Sequence, residues 1–419
     1  MTTPSCPTSH QAAGRITLKA RYVFPVASEP IPDGSVTIEA GRIMAVGKTT
    51  GKTEDLGNVA ILPGLINAHT HLDLSDLDQP LGRPGLRMVD WIRLVIEHRR
   101  NNPLAPRLAV RRGLEESIRF GTTTLGDMVQ PDWPYEEVQR AAMGVAAFLE
   151  LIAPLSERVA AAEQLAVEHI RPPAGKQPAA PGTPFPGLSP HAPYSVHPRL
   201  LERLVSLSST ARVPLAMHLA ESPEELELLR TGGGPFRELL DELNAWQADS
   251  FHPGGRPLDY LRMLLDAHRV LIIHGNYLDD EEIALLGANA DCMSVIYCPR
   301  THQRFAHASY ALEKMLTAGV QVALGTDSRA STPDLSVLAE LRLAAREHPS
   351  VAGEVILQLA TLRAAAALGL AGRIGTLEPG KQADLTIVSL PDHTTTDPHE
   401  LLFESDSPVT GRWWCGKKA

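Results

Sequence analysis

Residues 61–71 read ILPGLINAHTH, an apolar run that ends in two histidines one residue apart. Side chains at i and i+2 on a strand point to the same face. His69 and His71 therefore share a face at a strand end, where two imidazoles suit a metal ion; a lone histidine there is ordinarily a satisfied polar group. Working outward, the same kind of short apolar run recurs as TTTLGDMV (122–129), VAAFLELIA (145–153), GLSPHAP (187–193), VPLAMHLAE (213–221), VLIIHG (270–275), CMSVIYCP (292–299) and VQVALGTDS (320–328). Longer stretches with helical spacing separate them, among them LRMVDWIRLVIEHRR (86–100), HPRLLERLVSLSSTA (197–211) and VLAELRLAAREH (337–348). Eight strands alternating with helices predict an α/β protein, a (β/α)₈ TIM-type barrel over residues 61–375. A doubly wound open sheet is the structural rival. Catalytic groups in a barrel come from the C-terminal ends of its strands. Five of the eight candidates place an ionisable group there: His69/His71, His191, His218, His274 and Asp327.

The two ends of the chain read differently. Residues 15–60 alternate apolar and polar in short runs punctuated by PDG and AGR, and QADLTIVSL and PVTGRWW return to that style near the C-terminus. Residues 15–60 plus 376–419 are expected to form one small β-sandwich-like domain. Residues 1–14 read as a disordered tail and the last six residues as frayed. Residues 171–187 read as a Pro/Gly-rich loop, and 231–268 as a long connection with a role at the active-site face.

The chain has 419 residues, 43% hydrophobic and 21% charged, with net charge −10. That balance fits a folded enzyme-sized protein and argues against nucleic acid or an anionic membrane as partner. The 5% share of aromatic residues argues against a base-stacking platform too. Four scattered cysteines make no disulfide framework, so a reducing cytoplasm is expected. No secretory signal and no run of 18 apolar residues occurs. HExxH, GxxxxGK[ST], GxSxG and the H-x-E/P-C-x-x-C deaminase signature are all absent.

The segments LPGLINAHTHLDL, SPHAPYSV, MHLAES, IIHGN, CPRTH and LGTDS follow one another as in the amidohydrolase superfamily. Over about residues 15–390 the chain resembles its aminohydrolase branch, which includes S-adenosylhomocysteine/adenosine deaminases, aminodeoxyfutalosine deaminases, guanine deaminase and triazine chlorohydrolases. The resemblance implies one divalent metal, zinc or iron, held by His69, His71, His218 and Asp327. It implies Glu221 as proton shuttle, His274 as the polarising histidine and His191 as a substrate contact. The implied reaction is deamination of an aminated heterocycle, an adenine-type nucleoside such as adenosine, a 5′-thioadenosine derivative or aminodeoxyfutalosine. Attack on an amide, chloride or cyclic imide is the alternative, and a non-catalytic metal-bound scaffold is a further one. Dimers are common in that branch, so a homodimer acting on a small molecule fits.

The chain departs from the branch in two places. Pro299-Arg300-Thr301-His302 replaces P-x-S-N, with His302 in the asparagine position, and TDSRAST replaces TDG-x-x-SN. No lysine ends strand four, which favours a single metal over a carbamate-bridged pair. Other residues stay open between two roles. Asp127 could orient a ligand histidine or cap a helix. Glu150 could be a buried strand acid near the site. Arg300 and Arg329 could clamp substrate or lie on the surface. Trp91 and Glu97 could line the pocket or serve their own helix. Trp246 and Tyr260 could belong to a lid.

Overall fold

The computed structural model describes residues 14–102, 106–171, 184–247, 250 and 254–419. Its central sheet is parallel throughout and follows chain order: β1 (Leu65–His71), β2 (Thr122–Val129), β3 (Gly144–Leu151), β4 (Phe185–Pro190), β5 (Leu215–Leu219), β6 (Val270–His274), β7 (Met293–Tyr297) and β8 (Gln321–Leu324). The chain running out of β8 closes the ring. Gly325 donates its N–H to the Tyr297 carbonyl, Thr326 donates to the His69 carbonyl, and Asp327–Ser328 then pairs with Thr70 and His71 of β1. A Cβ on Gly325 would lie 2.8–3.0 Å from the N, O and Cβ atoms of His69, so only glycine lets the first and last strands approach this closely.

Alternation along the strands separates two apolar layers. Ile66, Ala68, Ala146, Phe148, Ala216, Leu271, Ile273 and Ala323 pack together in the ring, whereas Leu65, Leu125, Leu149, Leu215, Ile272 and Val295 pack under the helices. Ala146, Phe148 and Glu150 lie on one face of β3, as do Ala216 and His218 of β5. On β1 the register shifts between Asn67 and Thr70. A shift of this kind re-aims side chains, and it turns His69 and His71 inward after Ala68.

Both chain ends build the smaller β-region, as expected. Ile16–Lys19, Ser35–Glu39, Arg42–Gly47 and Glu54–Asp55 form one sheet. Val59–Pro63 pairs antiparallel with Leu385–Ser389 in a second sheet that also holds Val409–Trp414. Leu18, Val36, Ile38, Ile61, Leu385, Ile387 and Trp413 fill the space between the sheets. Two expectations are corrected. The final residues are paired, Lys417–Lys418 against Trp413 and Trp414. β4 begins at Phe185, inside the expected loop. The tail expected over 1–14 and most of that loop lie outside the described residues.

Candidate active site

Four histidines and two carboxylates meet where the strands end. His69 and His71 leave β1, His218 sits in β5, and His274 ends β6. Ring centroids lie 4.9 Å apart for His69 and His71 and 5.0 Å for His69 and His218. One nitrogen from each of these three rings falls within 4.8 Å of the others. Asp327 faces them, its Oδ1 3.6 Å from Nε2 of His69 and 3.7 Å from Nε2 of His71. These gaps are too long for hydrogen bonds. Among the described residues, neither ring nitrogen of buried His69 has a hydrogen-bond partner. Buried polar atoms are nearly always paired, and three imidazoles with one carboxylate are a donor set suited to zinc. His69, His71, His218 and Asp327 thus fit a divalent cation.

The surroundings fix these groups. Oδ2 of Asp327 accepts from Ser331 Oγ at 2.8 Å and Thr301 Oγ1 at 3.2 Å, and Thr70 Oγ1 donates to its carbonyl at 2.8 Å. The His218 Nδ1 lies 3.0 Å from the His191 carbonyl, which puts the Nδ1 proton there and leaves Nε2 to face the cluster. His274 and Asp327 hold left-handed backbone angles, φ 67° and 57°. Such conformations are uncommon for non-glycine residues and gather at functional sites. The Tyr310 hydroxyl secures the turn by donating to the His274 carbonyl at 2.9 Å.

Glu221 follows β5, with Oε1 3.2 Å from Nε2 of His274. Burial pushes its carboxyl well above the usual carboxylate range, helped by the negative charges of Asp327 and Glu225. Burial also lowers the His274 pKa, so the ring is neutral. Glu225 holds the loop: its two oxygens accept the Ala220 and Glu221 N–H groups, each at 2.9 Å, while Asn276 donates to the Glu221 carbonyl.

The cluster opens into a largely apolar cavity. Trp91, Ile92, Val95 and Ile96 of α1 (Met88–Asn101) form one wall, and Leu239 and Leu240 of α2 (Pro235–Glu242) form another. His71, Glu150, His191, His218, Glu221, His274 and Asp327 supply its polar end.

The sequence profile of the amidohydrolase family matches residues 60–411. The chain belongs to the amidohydrolase family. A 5-methylthioadenosine/S-adenosylhomocysteine deaminase of Moorella thermoacetica is 31% identical over 411 residues, 93% of this chain and 89% of that protein. The structure of a Helicobacter pylori aminofutalosine deaminase in complex with methylthio-coformycin matches with a TM-score of 0.84 and 22% identity, covering 96% of this chain and 100% of that one. A Xanthomonas campestris adenosine deaminase with bound zinc matches with a TM-score of 0.75 and 24% identity, covering 99% and 93%. The two structures share the fold.

In this amidohydrolase several expected contacts lie elsewhere. Glu97 is exposed on the face of α1 opposite the cavity, because Trp91, Ile92, Val95, Ile96 and Arg99 take the inner face. Arg300 is a brace: Nε donates to Glu340 at 2.6 Å and Nη1 to Asp334 at 2.7 Å. His302 packs behind the rim against Tyr297 and Tyr310. Thr301, between them, is the residue of that segment that touches Asp327. Arg329 is spent on the Leu77 and Asp78 carbonyls and Glu116. Asp127 neither caps the helix at Tyr135–Arg140 nor bonds to a histidine ring; its Oδ1 accepts the N–H of Leu72, fixing the backbone next to His71. Trp246 stacks under Arg237, and Tyr260 packs in the outer core. Leu239 and Leu240 line the cavity in their place.

Three functional-site features escaped sequence reasoning. Glu225 carries a readable signal, since Ser222 and Glu225 form the S-x-x-E pattern of a helix start. Ser331, which holds Asp327, sits one helical turn further along TDSRAS. Arg99, paired with Asp73 at 2.9 Å, gives no sign in the sequence of facing the cavity.

Proposed function

We propose that this amidohydrolase deaminates an adenine-type nucleoside, using one zinc ion held by His69, His71, His218 and Asp327. The observation that carries the reading is the 3.2 Å contact between Glu221 and neutral His274, beside that donor set and at the polar end of an apolar cavity. The cation would supply Lewis acidity, bringing the pKa of water from ~15.7 towards ~7. Glu221 enters the cycle protonated, as its burial favours. It passes that proton to a ring nitrogen of the substrate, which makes the amine-bearing carbon electrophilic. The emptied carboxylate then takes a proton from the attacking water and hands it to the departing amine. His274 donates its Nε2 proton to charge developing on the attacking oxygen. Carbon–oxygen bond formation and carbon–nitrogen cleavage release ammonia, and the proton left on the new hydroxyl returns to Glu221, which leaves a carbonyl and restores the protonated acid. His191 and Trp91 contact the substrate, and the apolar walls exclude water from a purine. We place the reaction in the cytoplasm, where the free thiols of Cys292 and Cys298 stay reduced.

The test is ammonia release and the ultraviolet shift of adenine to hypoxanthine across adenosine, 5′-methylthioadenosine and aminodeoxyfutalosine. Amides, chlorotriazines and cyclic imides are run beside them. Turnover of only the latter group would refute the deaminase reading. Glu221→Gln should keep zinc and ligand binding while turnover falls by on the order of 10²–10⁴. Near-normal turnover would remove Glu221 from the proton path.

A further inference from the structure

Glu150 ends β3 on the inward face, fully buried. Gln130 donates to its Oε2 at 2.6 Å. Its Oε1 is buried and has no hydrogen-bond partner among the described residues. Two imidazole nitrogens face that oxygen, Nδ1 of His71 and Nε2 of His191, each 3.9 Å away. Among the described residues these two rings are the basic groups within 4 Å of that oxygen. A shift of about 1 Å brings either into hydrogen-bond range.

The proton placements agree. His71 directs Nε2 at Asp327, so its one proton belongs on Nδ1, towards Glu150. Nδ1 of His191 lies 2.6 Å from the Ser195 hydroxyl, which donates to the Ala192 carbonyl at 3.2 Å. The carbonyl of the same His191 accepts from Nδ1 of His218.

We infer that Glu150 is a positioning residue whose carboxylate holds the proton of His71 on Nδ1 and so leaves Nε2 of that ring to the cation. This rests on the reading that His71 holds the cation. A partner of this kind fixes the tautomer of a ligand histidine and raises its basicity.

Wild-type and Glu150→Gln enzymes loaded with zinc are titrated with a competing chelator, and their cobalt-substituted forms are compared by visible absorption. Zinc affinity is expected to fall about 10–100-fold in Glu150→Gln, with shifted cobalt bands and partial recovery in Glu150→Asp. The KM for the deaminated nucleoside should change less than kcat. Unchanged zinc affinity and cobalt bands overturn the inference. So does a rise in KM with metal binding intact, which would make Glu150 a substrate contact. Should Glu150→Gln fail to fold, Glu150→Asp keeps the inference testable. Its shorter carboxylate stands further from Nδ1 of His71, and zinc affinity should fall below that of the wild type; no loss overturns the inference. His71→Ala tests the underlying reading separately. Zinc retained there removes His71 as a ligand, whereas zinc lost there but kept in Glu150→Gln removes only the role of Glu150.

Discussion

Arg300 shows how a side chain can sit beside a site and serve the scaffold. Its guanidinium is spent on buried Glu340 and on Asp334, and Glu340 also accepts the Arg300 N–H. Arg300→Met leaves a buried carboxylate without its cation, which costs about 3–5 kcal/mol. Urea unfolding at neutral pH should report that loss while KM stays at the wild-type value; a raised KM at unchanged stability would restore the substrate-clamp role. Glu225 makes a prediction about pH. Burial pushes its carboxyl from the usual 4.5 up to about 7, against the pull of the Glu221, Ala220 and Ser222 N–H groups. The folded state therefore keeps this proton more tightly than the unfolded chain does. Its contribution is fully present below 4.5 and is lost as pH rises through about 7. Wild-type stability should fall relative to Glu225→Gln across that window, seen in melting temperatures at mildly acidic and mildly alkaline pH. Parallel curves would show that Glu225 titrates normally.

The strands and their polar ends were legible because both signals are local. A barrel strand is a short apolar run, and an ionisable group closing several such runs falls on one rim. That reasoning placed His69, His71, His191, His218, His274 and Asp327 together without knowledge of any contact. It failed where a side chain's fate is decided by a distant element. Nothing near Arg300 announces Glu340, and nothing in α1 says that Trp91 and Arg99 rather than Glu97 face inward. The C-terminal strand failed for another reason: Lys417 and Lys418 are poor strand formers that pair because Val409–Trp414 offers them an edge. The junction between β8 and β1 makes its own prediction. Gly325→Ala drives a methyl group against the backbone of His69. It should destabilise the protein by about 1–3 kcal/mol and weaken zinc binding as well. Calorimetry and metal analysis of the purified variant check both, and loss of neither would mean that the seam yields freely.

At the scale of the molecule, the proposed ligands do not come from one element. His69 and His71 lie on the first strand of the ring, His218 on the fifth, and Asp327 just beyond the eighth. A ligand that binds only the folded state stabilises it in proportion to its occupancy. Stripping the metal with a chelator should therefore lower the melting temperature, and returning zinc should restore it. An unchanged melting curve with full loss of metal would separate the cation from the architecture. The seam has a consequence for how the chain is made. Thr70 and Asp327 meet across 257 positions, and Val59–Pro63 waits for Leu385–Ser389. During synthesis β1 keeps an open edge until Asp327–Ser328 emerges, and Val59–Pro63 keeps one until Leu385–Ser389 follows. Contacts of such separation form slowly, and open edges invite pairing with other chains. The nascent protein passes most of its elongation in its most aggregation-prone form, and escape comes in two late steps, when Asp327–Ser328 closes the ring and Leu385–Ser389 then joins Val59–Pro63.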